Sequence, residues 1–351
     1  MSEPREIGVS CPLPGGSERA CVTLAHGGGG RLMRELIEGF IAPRLRLAPG
    51  AVSVDAAALD PPPGPLAFTT DAYVVSPLEF PGGSIGTLAI HGTINDLAAA
   101  GARARWLSVG LILEEGLPLE VLGRVLEAMG TAAAEAGVSL VTGDTKVVER
   151  GSADGMFVTT AGVGERLLPE PPGPRRLQPG DALLLSGDIG RHGATIVAAR
   201  ESLGLSSARL ASDSAPLHGQ LEALADAGIT VHGARDLTRG GLASAVIELC
   251  RDAGLAATLQ APSIPVEDEV RAVCELLGLD PLYLANEGRM LWLVPGDEAE
   301  RAAAVLAGAG AQPNLCGRLH AGHAGEVTLV TRYGTRRALD LLSGDQLPRI
   351  C

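Results

Sequence analysis

Val138-Ser-Leu-Val141, running straight into Thr142-Gly-Asp-Thr-Lys146, is the stretch that sets the fold class. Its first four residues are a short apolar run of strand character. Upstream, the interval from Pro118 to Ala136 carries Leu122, Val125, Leu126, Met129 and Ala133 at helical spacing, with Gly137 as the stop. Before that helix lies another strand, Trp106 to Leu113. Strand, helix and strand in that order predict an α/β unit, and ligands collect just past the strands of such units. Asp144 and Lys146, a carboxylate and an ammonium two residues apart, then have two readings. Either Lys146 makes a phosphate contact, or the two form a surface ion pair across a turn.

Working toward the N-terminus, a helix from about Ile85 to Ala100 carries His91, Asn95 and Asp96 in an otherwise Leu, Ala and Ile pattern. His91 and Asn95 are four residues apart and share a face. Asn95 and Asp96 either form a solvated edge or present ligands from a tightly packed helix. Ahead of it the loop Asp60-Pro-Pro-Pro-Gly-Pro65 hands over to a strand, Leu66-Ala-Phe-Thr-Thr70, that ends on Asp71, well placed to bind a hard cation. Earlier still, Cys21-Val-Thr-Leu-Ala25 leads into His26-Gly-Gly-Gly-Gly30, with Leu32, Leu36, Ile37, Phe40 and Ile41 following at helical spacing. Four glycines before a helix free backbone N–H groups to face an anion, or simply make a flexible connection; neither common glycine-rich phosphate template is present.

Toward the C-terminus, a strand from Gly155 to Val163 closes the first half, and Pro169-Glu-Pro-Pro-Gly-Pro174 is the clearest linker. The second half opens with a strand from Ala182 to Ser186 and continues with helices stopped by Gly204, Gly228, Gly254 and Gly278. Asp236, in Asp236-Leu-Thr-Arg-Gly-Gly241, is either an N-terminal cap or, with Arg239 beside it, part of a polyphosphate site. Glu287, in Asn286-Glu287-Gly288, is a base or a turn residue. The resulting division is an arm with glycine-rich loop and helix over 1–46, a first domain over 47–168, a second over 175–330 and a mobile tail over 331–351.

With 351 residues the chain is long enough for two cores. Aromatics are only 3%, so those cores are built from Leu, Val, Ile and Ala. A formal charge of −13 and the lack of a basic stripe argue against nucleic acid and anionic lipid as partners. No apolar run reaches membrane-spanning length and no secretory leader pattern opens the chain, which predicts a cytoplasmic protein. Six cysteines without a CxxC pair predict reduced thiols. Cys316, His320 and His323 fall within eight residues, yet their spacing matches no strong metal template. The chain closes on Pro348-Arg349-Ile350-Cys351, which puts a thiol on its most mobile end; a frayed tail and a travelling nucleophile are both open on those residues alone.

Thr69-Thr-Asp71, Asn95-Asp96, Gly143-Asp144-Thr-Lys146, Asp236-Leu-Thr-Arg-Gly-Gly241 and Asn286-Glu287-Gly288, in this order, resemble the ATP-binding superfamily of aminoimidazole ribonucleotide synthetase and selenophosphate synthetase. With Pro348-Arg-Ile-Cys351 added, the match narrows to the HypE family of hydrogenase maturation factors and covers nearly the whole chain from about Cys21. That resemblance implies a two-domain PurM-like fold, α/β in the first domain and α+β in the second, with the first-domain sheet pairing across a homodimer. It also implies a chemistry. HypE-like proteins receive a carbamoyl group on the C-terminal cysteine from the carbamoyltransferase HypF, dehydrate it with ATP to a thiocyanate, and pass cyanide to iron on the HypC–HypD complex. By resemblance, Asp71, Asp96 and Asp236 bind Mg2+, Asn95, Asp144 and Arg239 lie near the nucleotide, and His26, Gly27, Gly28, Gly29 and Gly30 close over its phosphates. Lys146 stabilises the transferred phosphoryl group, Glu287 takes a nitrogen proton, and Cys351 carries the substrate.

Two competing readings accompany this one. A synthetase or kinase acting on a free small molecule, such as selenophosphate synthesis, generally needs a reactive cysteine after the glycine-rich loop, where this chain has Arg31-Leu-Met-Arg34. A metal carrier using Cys316, His320, His323 and Cys351 ranks last.

Overall fold

Two sheets organise the chain in a computed structural model that describes residues 10–11, 19–47, 52, 54–60, 62–200, 210–344 and 349–351. The expected helix stop at Gly204, Pro348 ahead of the terminal tripeptide, and residues 1–9 and 12–18 of the N-terminal arm lie outside the described residues. In the first domain four strands stand in the order Leu66–Tyr73, Met156–Arg166, Ala102–Glu114, Ser139–Val148. Helices Ile85–Ala99 and Leu119–Glu135 cover one face. The apolar stripe expected on the second helix is there: Leu122, Val125, Leu126 and Met129 are fully buried, facing Leu107, Leu111 and Leu113 of the sheet.

The opposite face of this sheet is open. Phe68, Val163 and Trp106 line up across three strands in register, and Phe68 is 70% exposed.

One strand is longer than its sequence suggests. Ser139–Val148 continues through Asp144 and Lys146 because it pairs in parallel with Ala102–Glu114 as far as Val148 opposite Glu114. The polar run is therefore strand, not the loop past it. The partner strand likewise begins at Ala102, ahead of the expected Trp106.

The second domain is a seven-stranded mixed sheet in the order Gly233–Asp236, Met290–Val294, Ala182–Leu185, Asn314–His320, Ala256–Gln260, Val327–Val330, Arg336–Leu339. Two of its inner strands, Met290–Val294 and Ala182–Leu185, are apolar and buried at every position because helices cover both faces there. Gly241–Ala253 packs on Leu183, Leu185 and Leu291, whereas His218–Asp226 and Ala299–Gly308 pack on Leu184, Trp292 and Val294. Gly254 and Gly278 stop their helices in the left-handed conformation, as expected. The stretch proposed as a tail from 331 onward begins later: Arg336–Leu339 is the last strand of the sheet, pairing antiparallel with Val327–Val330. Among the described residues no helix is long and apolar enough to cross a membrane.

Candidate functional site

A cleft of about 790 Å³ opens between the domains, and Asp71, Asp96, Asp236, Arg239, Glu287 and Cys351 line it. Each arrives on a different element. Asp71 lies on the edge strand Leu66–Tyr73, and Asp96 on helix Ile85–Ala99, where it accepts a hydrogen bond from Thr69 Oγ1 at 2.8 Å. Asp236 is the last residue of its strand; the cap of the following helix is Gly240, so the capping alternative for Asp236 falls away. Both glycines of that motif have positive φ, and a Cβ on Gly241 would stand 2.5 Å from the Leu284 carbonyl oxygen. The motif thus packs directly on the turn that carries Glu287. Asn286 locks the same junction: its Nδ2 donates to the Leu237 carbonyl at 3.0 Å and its Oδ1 accepts from Gly190 N at 2.7 Å. Gly288 is required by crowding, since a Cβ there would meet the Asp213 carbonyl oxygen at 1.8 Å.

Electrostatics make this cleft unusual. Burial, and then the Asp96 carboxylate beside it, push Asp236 up to about 7, with Asp71 adding to the same effect. Burial also raises Asp96, against the relief offered by Thr69. Glu287 is 2% exposed, has one carboxyl oxygen without a partner, and is held well above the usual carboxylate range by burial and then by Asp236, Asp213, Asp71 and Asp96. Burial lifts the Cys351 thiol to about 12, the Glu287 charge adding to it and Arg239 opposing. An acid-lined cleft of this kind holds carboxyls whose joint ionisation a bound cation would favour. Among the described residues, however, no three His, Cys, Asp or Glu side chains stand close enough to hold a metal ion by themselves.

The terminal thiol is inside this cleft. Cys351 follows Ile350, which is 6% exposed and packs into the first-domain core.

Other candidates fall elsewhere. Asn95 shares a face with His91 as expected, but that face meets the second domain: Asn95 Nδ2 donates to the carbonyls of Ala215 at 3.0 Å and Glu287 at 3.2 Å, and its Oδ1 accepts from Leu217 N at 2.8 Å. With both its amide nitrogen and its amide oxygen engaged by protein, Asn95 fixes the domain junction and the backbone of Glu287. Lys146 and Asp144 pair at 2.5 Å on the far edge strand, both well exposed. They face the same way because they are two apart on a strand. The glycine-rich loop is at that far edge too. Leu24–Gly27 forms one 3-10 turn, Gly27 sits against Val147, and His26 is 8% exposed with its Nδ1 3.0 Å from Thr23. Asp71 and Gly143 lie in one row of the sheet, linked through Thr160 and Val109. Three strand spacings, roughly 14 Å, therefore separate the two groups within one chain.

Cys316 is buried in the second-domain core with its thiol toward the Leu183 carbonyl, while His320 is exposed and contacts Thr258 at 3.1 Å. A bulge at Leu315–Gly317 breaks the alternation that would have put the two on one face. Cys250, Cys274, Cys316 and Cys351 are free thiols. Sequence reasoning passed over Asp213, Asp188 and Arg289. Asp213 accepts from the backbone N–H groups of Glu287 and Gly288 at 3.2 and 3.4 Å, and Arg289 bridges Asp188 and Asp213. The arginine following Asn286-Glu287-Gly288 was the available signal.

Residues 53–166 match the AIR synthase related protein, N-terminal domain, and residues 178–330 its C-terminal domain. The chain is 50% identical to the carbamoyl dehydratase HypE of Rhodobacter capsulatus over 343 residues, covering 94% of this chain and 98% of that protein. It is 44% identical to the carbamoyl dehydratase HypE of Escherichia coli K12, over 94% of this chain and 99% of that one. A crystal structure of the hydrogenase maturation protein HypE in complex with ATP superimposes with a TM-score of 0.89 at 44% identity, covering 94% of this chain and 99% of its own. A chain of a crystal structure of a HypE–HypF complex aligns with a TM-score of 0.76 at 37% identity, over 89% of this chain and 100% of that one.

Proposed function

This chain belongs to the HypE family of carbamoyl dehydratases, and from that premise we propose that it dehydrates an S-carboxamide on its own Cys351 to a thiocyanate, using ATP. The observation that carries this reading is the C-terminal thiol seated in the same acid-lined cleft as Glu287. A metal or nucleotide site alone would not need the chain terminus there.

The chemistry follows from the bonds. Oxide is a poor leaving group from a thiocarboxamide, so the amide oxygen attacks the γ-phosphoryl group of ATP and leaves as phosphate. Loss of both N–H protons completes the C≡N bond: one ends on phosphate and the other is released through Glu287. Net, the S-carboxamide and ATP become thiocyanate, ADP, phosphate and a proton. Glu287 suits its part because burial makes its carboxylate a stronger base than a solvated one. Asn95 and Asp213 hold its backbone, so the free carboxyl oxygen stays aimed.

The donor set also fits magnesium. Asp71, Asp96 and Asp236 are oxygen donors whose mutual repulsion a divalent cation relieves, and magnesium commonly takes one or two carboxylates, completing its shell with phosphate oxygens and water. When bound, it would neutralise charge on the phosphates.

The glycine-rich loop, Asp144 and Lys146 belong to this chemistry through a second copy. One chain holds them at the opposite sheet edge from Asp71, and the open sheet face with Phe68 and Trp106 is the surface on which two copies would pack. In such a homodimer the edge strands of the two copies adjoin, so His26 to Gly30 and Lys146 of one serve the cleft of the other. Outside the dimer, HypF supplies the carbamoyl group and the HypC–HypD complex takes the cyanide.

The test is mass spectrometry of the C-terminal peptide after incubation with carbamoyl phosphate, ATP and the HypF partner. A nitrile on Cys351 is expected, with the carboxamide persisting in Lys146→Ala, and phosphate release without nitrile in Glu287→Gln. Modification of Cys316 or Cys21 in place of Cys351 would refute the assignment.

A further inference from the structure

The last three residues are held by the body at every backbone carbonyl. Cys351 O accepts from Val74 N at 3.0 Å, Ile350 O accepts from His192 Nε2 at 2.7 Å, and Arg349 O accepts from Ser76 N at 3.4 Å and from Arg200 Nη2. The Arg349 side chain is gripped as well: Nη2 pairs with Asp154 at 2.5 Å and Nε donates to the Val74 carbonyl at 3.2 Å. Its backbone sits at φ 57, a left-handed conformation that non-glycine residues seldom keep without support.

His192 is a prepared donor. It is wholly buried, and Ser212 Oγ, 2.8 Å from its Nδ1, already accepts a hydrogen bond from Ser214 N at 3.1 Å. The Ser212 proton is then directed to Nδ1, which leaves the hydrogen on Nε2 for the Ile350 carbonyl. Arg200 is braced too, with Nε donating to the Ser76 carbonyl at 2.5 Å. Asp154 stands on a turn that Glu114 fixes by accepting from Gly155 N at 2.7 Å and from Gly151 N.

We infer that Asp154, His192 and Arg200 form a docking site that reads the terminal Arg-Ile-Cys and sets the Cys351 sulfur beside Glu287. These are positioning residues: they touch the tail and never the reacting atoms. Three elements from two domains converge on residues 349–351, and the contacts are to backbone and to the Arg349 charge, so the site recognises this tripeptide whatever group the sulfur carries. The docking itself stands on the contacts above; its consequence for catalysis rests on the reading of Cys351 as the modified thiol.

The probe is the rate of Cys351 alkylation by iodoacetamide at pH 8 in the full-length chain, with neither nucleotide nor carbamoyl donor. A docked thiol is neutral and shielded, so alkylation reports the undocked fraction. His192→Phe leaves the Ile350 carbonyl without its donor and should accelerate alkylation about tenfold or more. His192→Gln, which keeps an N–H near the Nε2 position, should stay within about threefold of the unaltered chain. Asp154→Lys removes a half-exposed ion pair and adds repulsion, for an acceleration of about threefold to tenfold, which Arg349→Glu in the same chain should reverse. Unaltered rates in both single variants, or an exchanged pair as fast as Asp154→Lys alone, would overturn the proposal. Should His192→Phe also expose the buried Cys250 and Cys316, it has unfolded, and the exposed Asp154–Arg349 pair decides. In a carbamoylated chain the same variants should form nitrile more slowly with ATP affinity unchanged. Faster alkylation in variants of a chain that never forms nitrile would leave the docking site standing and remove the dehydratase reading instead.

Discussion

Asp236 is a carboxyl kept in a place where its charge is unwelcome, and that has a pH signature. Its folded value of about 7 exceeds that of an unfolded aspartate, so between about pH 4 and pH 7 the folded chain binds more protons than the unfolded one. Stability contributed by the protonated carboxyl is therefore present at low pH and lost as pH rises through 7. The melting temperature of the nucleotide-free chain should fall between pH 5 and pH 8, and Asp236→Asn should fall less over the same interval. Glu287, shifted in the same direction, keeps the variant's profile from becoming flat. Adding magnesium and ATP near pH 6.5 should expel protons from the parent and fewer from Asp236→Asn, read by calorimetry in buffers of differing ionisation enthalpy. ATP cleavage in Asp236→Asn should drop about a hundredfold or more. Equal proton release by the two proteins would remove Asp236 from the cation site.

The helix Ile85–Ala99 does the most to join the domains. One side is largely apolar and packs on the first sheet, where Leu88, Ile90, Ile94 and Leu97 are wholly buried and Thr93 bonds Thr160 across the interface. The other side sends His91 to Ser214 and Asn95 to Ala215, Leu217 and Glu287. Asn95→Ala strands one buried N–H and weakens two buried carbonyls, a loss of about 2–3 kcal/mol given the usual cost of an unsatisfied buried group. The urea midpoint should fall with an unchanged slope, while ATP affinity holds. A variant of normal stability that binds ATP poorly would instead put Asn95 at the nucleotide.

For the whole molecule, the question is whether one chain contains one site. The carboxylates of Asp71, Asp96 and Asp236 face the cleft at one sheet edge, while Lys146 and the glycine-rich loop occupy the other. If two copies share their sites, Asp71→Asn and Lys146→Ala are each inactive alone, yet subunit exchange gives mixed dimers in which one cleft has both residues intact. Random mixing in equal amounts makes half the dimers mixed, so about a quarter of parental ATP cleavage should return. Phe68→Glu, which charges the open face, should yield monomers by sedimentation and no rescue by mixing. Failure of the first mixture to regain activity while dimers persist would confine each site to one chain.

The residues of the amino-acid sequence determined the periodic and local part of this protein. The stripe on Leu119–Glu135, the glycine stops at Gly254 and Gly278, the linker after Pro169, and the motifs holding Asp71, Asp96, Asp236 and Glu287 were all legible, because each rests on spacing or chemistry within a few neighbours. Tertiary structure decided what depends on distant partners. Parallel pairing with Ala102–Glu114 turned Thr142 to Lys146 from loop into strand and put Lys146 across the sheet from Asp71. Contact with residues 215–217 made Asn95 a clamp, and a bulge separated Cys316 from His320. The resting place of Cys351 was decided in the same way. A terminal tripeptide has almost no preference of its own, and only donors gathered from positions 74, 76, 192 and 200, with the carboxylate of Asp154, could select one conformation for it.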